Sequence, residues 1–265
     1  MSTFAWVVYP YICLTSFVLG HLWRYRHDKF GWTSRSSELY EKRILAWGSP
    51  LFHFGILGVL AGHLVGLLVP ESLTRAIGIS ERAYHLVAVG LGTAAGLATV
   101  SGLGLLVWRR RFTRSVLRAT SPGDKAMFAL LAVVIGLGMV NTVGVGLLGL
   151  GGHPAGYDYR ATVAVWLRDV LLLHPSAAPM ARAPWSFQWH AIAAFLLLAA
   201  WPYTRLVHVL AVPAGYLARP YIVYRTRAPQ GAARAPRRGW DRPGWDRPGQ
   251  ARPAPRAGMP PRPGR

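Results

Sequence analysis

Apolar positions in this chain gather into long uninterrupted runs. No Asp, Glu, Lys or Arg occurs at 1–23, 44–70, 83–108, 126–157 or 183–204. Each run exceeds the roughly 20 residues that carry a helix across a ~30 Å hydrocarbon layer. The pattern therefore predicts an all-α integral membrane protein with five transmembrane helices. Soluble helical packing would leave too little polar surface to cover five such runs. The first run lacks a basic leading region and a small-residue cleavage site, and Arg24 and Arg26 follow it directly. We read it as a retained helix rather than a cleaved signal.

The polar connections set an expected orientation. The connection at 24–46 carries six basic residues (Arg24, Arg26, Lys29, Arg35, Lys42, Arg43) and that at 109–125 six more (Arg109, Arg110, Arg111, Arg114, Arg118, Lys125). The second connection has only Arg75 and Arg82, and the fourth sets Arg160, Arg168 and Arg182 against Asp158 and Asp169. Basic residues accumulate on the cytoplasmic side, so the N-terminus is expected outside and the C-terminus inside, the parity that five spans require. Within the fourth connection, Ala161 to Leu173 reads as a short amphipathic helix, too short to span and expected at the outer interface. Residues 1–225 are expected to form the five-helix membrane domain. Residues 226–265 are Arg-, Pro-, Gly- and Ala-rich and repeat Gly-Trp-Asp-Arg-Pro at 239–243 and 244–248. Such a composition cannot bury enough apolar surface to fold. It reads as a disordered basic tail suited to anionic inner-leaflet lipid, and not as a nucleic-acid platform.

Composition narrows the chemistry. Charged residues make up 15% of the chain, against about 25% in soluble proteins, while 52% are hydrophobic. The 30 Lys and Arg against 10 Asp and Glu leave a net charge of +20. A single cysteine, Cys13, removes a disulfide framework, a cysteine-held zinc or iron–sulfur site and a covalent C-x-x-C-H haem attachment. No phosphate-binding loop, nucleophile elbow or carboxylate cluster offers residues for hydrolysis or phosphoryl transfer.

Histidine is what remains. His53 and His63 lie in the second run, and His190 and His208 lie in and just beyond the fifth. Ionisable side chains at membrane depth are costly and usually mark function. With the second helix running outward and the fifth inward, depth pairs His63 with His190 near the outer face and His53 with His208 near the inner. Each pair supplies two imidazoles from facing helices, as a six-coordinate b-type haem requires when cysteine is absent. The rises disagree: about 27 Å separates His190 from His208 on a continuous helix and about 15 Å separates His53 from His63, so a bend at Pro202 or differential tilt is expected. Gly55, Gly58, Gly62 and Gly66 are compatible both with close helix packing and with close approach of a flat macrocycle. Arg205, Arg109, Arg110 and Arg118 are candidates to hold haem propionates, and each also serves as positive-inside charge. His21, His27, His153 and His174 read as solvated or interfacial. His85 reads as interfacial, with a quinone head group as its functional alternative.

Several segments together resemble the gamma subunit of respiratory nitrate reductase. These are Tyr9-Pro10-Tyr11, Trp23-Arg24-Tyr25-Arg26, the stretch from Leu51 to Gly58 continuing through Gly62-His63-Leu64, and Arg205-Leu206-Val207-His208 with Val212-Pro213. The similarity covers roughly residues 5 to 225. It implies a membrane cytochrome b of the cytoplasmic membrane that carries two b haems, His63 and His190 holding the distal and His53 and His208 the proximal. It further implies quinol (menaquinol or ubiquinol) as electron donor, and an iron–sulfur beta subunit and a molybdenum alpha subunit as partners. The resemblance makes Gly62 and His63 neighbours of the quinol. A lysine of the family's pocket has no counterpart here, and Arg82 and His85 are the candidates to replace it. The rival readings are a haem b, quinone-linked subunit of a sulfite- or heterodisulfide-reducing complex, a transporter using histidines as proton relays, and a purely structural anchor.

Overall fold

A computed structural model describes residues 3–28, 31–32, 37–152 and 157–211. The expected basic tail at 226–265, Val212-Pro213 and His153 lie outside the described residues. Among those described, every regular element is helical and no strand occurs. The helices are α1 (Tyr9–His27), α2 (Arg43–His63), α3 (Glu71–Ala76), α4 (Glu81–Phe112), α5 (Arg114–Arg118), α6 (Pro122–Met139), α7 (Val163–Leu171), α8 (Ala178–Ala181) and α9 (Trp185–Ala200). Three of them continue into π-helical turns: Phe4–Val8 leads into α1, Leu64–Leu68 extends α2 and Val140–Leu147 extends α6.

Four of these helical stretches are long and apolar enough to cross a membrane: Phe4–His27, Arg43–Leu68, Glu81–Phe112 and Pro122–Leu147. The chain is a multi-pass membrane protein. Large apolar side chains such as Trp47, Phe54, Leu57, Leu86 and Leu91 stay exposed on these helices, as lipid-facing positions should. Two of the longer helices, α4 and α6, start on side-chain caps. The Ser80 hydroxyl accepts from the Ala83 amide at the start of α4. Ser121 and Asp124 form a reciprocal capping box on α6, with Pro122 in its first turn.

The fifth apolar run differs from its expectation of one continuous helix. α9 stops at Ala200 after 16 residues, and two 3₁₀ segments follow, Trp201–Tyr203 and Arg205–Leu210. Pro202 is the cause: it has no N–H to give to the carbonyl of residue 198, and its ring crowds that carbonyl. Thr204 is extended, and its hydroxyl accepts from the Leu206 amide to start the second segment.

α2 packs along α4, while α1 and α6 pack on α9 and α4 joins α6. The α2–α4 contact depends on close backbone approach. A Cβ at Gly102 would lie within 3.0 Å of the Phe52 backbone, and one at Gly55 2.6 Å from the Thr99 amide. Gly55 thus serves helix packing. α1 is stitched to the last run by Tyr9 Oη donating to Ile192 O (2.9 Å), Ser16 Oγ to Ala199 O (3.0 Å) and an Arg24 Nη1 contact to Pro202 O (2.7 Å).

The amphipathic segment expected in the fourth connection forms α7 and packs one face onto other helices. α7 buries Trp166 to 2% exposure in a core with Trp6, Val170, Met180 and Phe195. Trp166 meets the Trp6 and Phe195 rings edge-on at 5.7 and 5.6 Å and donates its indole N–H to Trp6 O at 2.8 Å. A buried indole N–H needs such an acceptor, and a chain carbonyl provides it.

Candidate metal centre

The four histidines come from three kinds of local structure. His53 lies within α2, His63 is its last residue, His190 lies in the first half of α9, and His208 sits on the 3₁₀ segment beyond Pro202. The break after Ala200 bears directly on the mismatch in rise. Because His208 is not on a continuation of α9, the two spacings need not match along one axis, and both depth-matched pairs form. The His53 and His208 rings have centroids 6.2 Å apart, and those of His63 and His190 are 6.0 Å apart.

All four imidazoles are held through the same nitrogen. His53 Nδ1 donates to Ser49 O at 2.7 Å, His63 Nδ1 to Val59 O at 2.8 Å, His190 Nδ1 to Val134 O at 3.0 Å and His208 Nδ1 to Arg205 O at 2.6 Å. A carbonyl can only accept, so each Nδ1 carries the proton and each Nε2 presents its lone pair. This is the tautomer that a metal ligand needs, oriented by its outer hydrogen bond.

These residues fit an iron porphyrin. A metal–imidazole bond is about 2 Å long and the ring centroid lies about 1.1 Å behind the bonding nitrogen, so two imidazoles on opposite sides of one metal have centroids about 6.2 Å apart. Among the described residues no group of three or more His, Cys, Asp or Glu converges. Each pair therefore offers two donors, and a metal between them has to bring its own equatorial ligands, as haem does. His53 and His63 are also exposed on α2.

Other anticipated residues fall in mixed settings. Arg109 is 1% exposed. It donates to Glu41 Oε2 (2.6 Å), Ser37 Oγ (2.8 Å), Ser37 O (2.8 Å) and Glu41 O (2.6 Å). It clamps the first connection to α4 and has no side left for a propionate. Arg205 binds buried Asp124 through Nε (2.5 Å) and Nη2 (2.6 Å). Arg110 lies over the Phe128 ring at 4.7 Å, and Arg118 is exposed on α5. A Cβ at Gly62 would meet nothing within 4 Å, and Arg82 is exposed. His85 Nε2 lies 3.3 Å from Gly146 O. His21, read as solvated or interfacial, is not solvated: it is 8% exposed, with Nδ1 on Phe17 O at 2.7 Å and its ring beside Phe17 and Trp32.

Sequence reasoning missed several partners. Gly138 lies against His190, where a Cβ would sit 3.2 Å from the ring's Cε1. Asp124 anchors the segment that carries His208. Its signal was available, since it is the only acidic residue in the basic 109–125 connection. A polar group of Glu81, Tyr84, Tyr159 and Arg160 gathers beyond the C-terminal end of α2, joined by an Arg160–Glu81 contact of 3.5 Å and a Tyr84–Tyr159 hydroxyl contact of 3.2 Å.

Four helices suited to crossing a membrane, with two imidazole pairs joining α2 to the last apolar run, define a helical multi-pass membrane protein with paired histidines. The family model described as nitrate reductase gamma subunit matches residues 2–227. The chain belongs to that family. It is 44% identical to the nitrate reductase gamma chain of Bacillus subtilis, over 84% of this chain and 97% of that one. It is 31% identical to the respiratory nitrate reductase 2 gamma chain of Escherichia coli, over 86% and 98%. It is also 49% identical, over 91% of its length, to the nitrate reductase-like protein NarX of Mycobacterium tuberculosis, and spans 36% of that longer protein.

Proposed function

We propose that this chain is the membrane cytochrome b subunit of a respiratory nitrate reductase in the cytoplasmic membrane. In this reading it oxidises quinol near the outer face and delivers the electrons to an iron–sulfur subunit, which passes them to a molybdenum subunit for nitrate reduction. The observation that carries the proposal is the pair of imidazole couples at 6.2 and 6.0 Å with every Nδ1 tied to a carbonyl. Family membership favours nitrate reductase over the sulfite- and heterodisulfide-linked alternatives. It also favours a fifth crossing, made by α9 and its 3₁₀ extension, with the N-terminus outside and the basic connections inside.

His53 and His208 hold the proximal b haem, and His63 and His190 the distal one. When bound, each haem supplies a one-electron iron couple. The chain's own residues do the rest. The carbonyls of Ser49, Val59, Val134 and Arg205 fix ring orientation and raise ligand basicity. Arg110 and Arg118 carry positive charge at the inner end, where haem carboxylates need it, and Arg205 adds to that charge while bound to Asp124. Gly62 and His63 border the quinol at the outer end, with His85 and Arg82 at the rim. Ten residues separate the two histidines of α2, about 15 Å at 1.5 Å per residue, so the two ligand pairs span much of the hydrocarbon layer. Inward electron movement against the membrane potential costs about 2.3 kcal/mol per 100 mV, which quinol oxidation has to drive.

Haem extraction as the pyridine haemochrome should give two b haems per chain. His63→Ala or His190→Ala should remove one b-type signal together with quinol oxidation, while the other signal persists. Retention of both signals in either variant overturns the ligand assignment, and a purified chain with no b-type band overturns the function.

A further inference from the structure

The polar group beyond the outer end of α2 lies where quinol protons have to leave, and the haem ligands make no use of it. Gly66 is three residues past His63, within the π-helical turn Leu64–Leu68. A Cβ at Gly66 would lie 2.7 Å from the Tyr159 hydroxyl and 3.2 Å from that of Tyr84, so glycine here lets two phenols reach the backbone one turn outward of a proposed ligand. The two hydroxyls are 3.2 Å apart. Tyr84 follows Glu81 by three residues on α4 and shares its face, and the Arg160 guanidinium covers the Tyr84 ring at 4.0 Å.

Two features separate this group from an ordinary surface ion pair. Arg160 is 4% exposed and donates Nη2 to Thr74 Oγ1 at 3.0 Å, yet its Nε and Nη1 are buried and have no hydrogen-bond partner among the described residues. Glu81 Oε1 is likewise buried without a donor among the described residues, 3.5 Å from Arg160 Nη1, although the Glu81 side chain as a whole is 40% exposed. Buried donors and an acceptor left in this state cost free energy, and a contact of this length is the place for a bridging water. The carboxylate turns one oxygen inward and keeps access to the outside. The charged groups facing it are Arg160 and Arg75, the latter also paired with Glu71, with Arg82 following it on α4. Tyr159 faces Arg160, Asp158 and Tyr84, and its hydroxyl is held above the usual tyrosine range first by burial and then by the Tyr84 hydrogen bond. It therefore passes a proton as a neutral hydroxyl, taking one as it gives one.

We propose that Tyr159, Tyr84 and Glu81 form the proton exit for quinol oxidation. The inference rests on the quinol-oxidising reading above. The quinol O–H bond breaks and its proton goes to the Tyr159 hydroxyl oxygen. Tyr159 gives its own proton to Tyr84, and Tyr84 gives its proton to the Glu81 carboxylate through water. Glu81 then releases the proton to the outer aqueous phase. The quinol's electrons would be taken by the one-electron iron couple that a haem held by His63 and His190 would supply, and both phenols end neutral as they began.

The test uses the complete membrane complex in sealed vesicles with tetramethylbenzoquinol as donor, following haem reduction by stopped flow from pH 5 to 9 in H2O and D2O. Glu81→Gln and Tyr159→Phe should each lower kcat about tenfold, leave KM unchanged, enlarge the solvent isotope effect and alter the pH profile. Glu81→Asp should recover most of the rate. Dithionite-reduced spectra should match wild type in all three. Unchanged kcat and pH profile in both Glu81→Gln and Tyr159→Phe would overturn the exit, as would rate losses that track loss of the haem spectrum. Failure of the underlying reading shows differently, in a wild-type complex that has no b-type band or does not oxidise the quinol, and that result ends both.

Discussion

Asp124→Asn tests how the His53–His208 pair is held. Asp124 is 3% exposed and receives Arg205 Nε at 2.5 Å, Arg205 Nη2 at 2.6 Å and the Ser121 amide at 2.8 Å. Asn keeps the shape and one acceptor oxygen, so the cap on α6 survives in large part, but the charge that the guanidinium faces is gone. Breaking a buried ion pair costs about 3–5 kcal/mol, and the residual exposure of Arg205 puts this case near about 3. At about 1.4 kcal/mol per tenfold, that raises the opening of the Arg205–Leu210 segment by roughly 100-fold. His208 lies on this segment and is oriented by the Arg205 carbonyl at 2.6 Å, whereas His63 and His190 are on α2 and α9. The variant should therefore fall from two b haems per chain toward one, keep the distal signal and its reduction by quinol, and lose electron delivery to nitrate. Haem content, low-temperature difference spectra and the thermal midpoint in detergent read this out. Two haems per chain with an unchanged midpoint would refute the reasoning.

Gly138 offers the matching perturbation at the His63–His190 pair. Its Cβ would lie 3.2 Å from His190 Cε1, a few tenths of an ångström inside the usual carbon contact distance of about 3.5–4.0 Å. Gly138→Ala should shift the distal haem signal slightly and Gly138→Leu should abolish it while sparing the proximal one; a Leu variant with both signals intact contradicts the placement. Partial burial opposes ionisation of Glu41, but the Ile44 amide and the Arg109 guanidinium outweigh it and hold the carboxyl below the usual range. A lowered folded-state value stabilises the protein above the unfolded carboxyl range of about 4.3 and is lost as pH falls through the folded value. The melting temperature of wild type should exceed that of Glu41→Gln at pH 7, and the gap should close below about pH 4; a pH-independent gap would exclude the ion pair as its source.

Runs of uncharged residues and the depth of four histidines were legible in the sequence because both are sums along consecutive positions. Hydropathy adds up over about 20 residues, and depth is residue number times rise per residue. Those sums located four helices long enough to cross, the fourth ending ten residues short of its run, and paired the imidazoles that the fold makes neighbours. The same arithmetic misled where it assumed a continuous fifth helix. Local rules anticipated strain at Pro202, but not that the chain would leave the α-helix there and reach His53 from a 3₁₀ turn.

What tertiary structure alone decided was which groups satisfy one another. Arg109 and Arg205 looked equally available for haem carboxylates, since both are cations that border an apolar run. Only the fold brings Glu41, Ser37 and Asp124 to them, across 68, 72 and 81 positions of chain. The amphipathic α7 could have rested on lipid, but a carbonyl of Trp6, 160 residues away, takes its indole N–H. Gly55 could have made room for a macrocycle or a helix, and the Thr99 backbone occupies that room. A sequence records each residue's hydrogen-bonding capacity and apolar area. Burial makes every such capacity need a partner, and the folded chain determines which distant residue provides it.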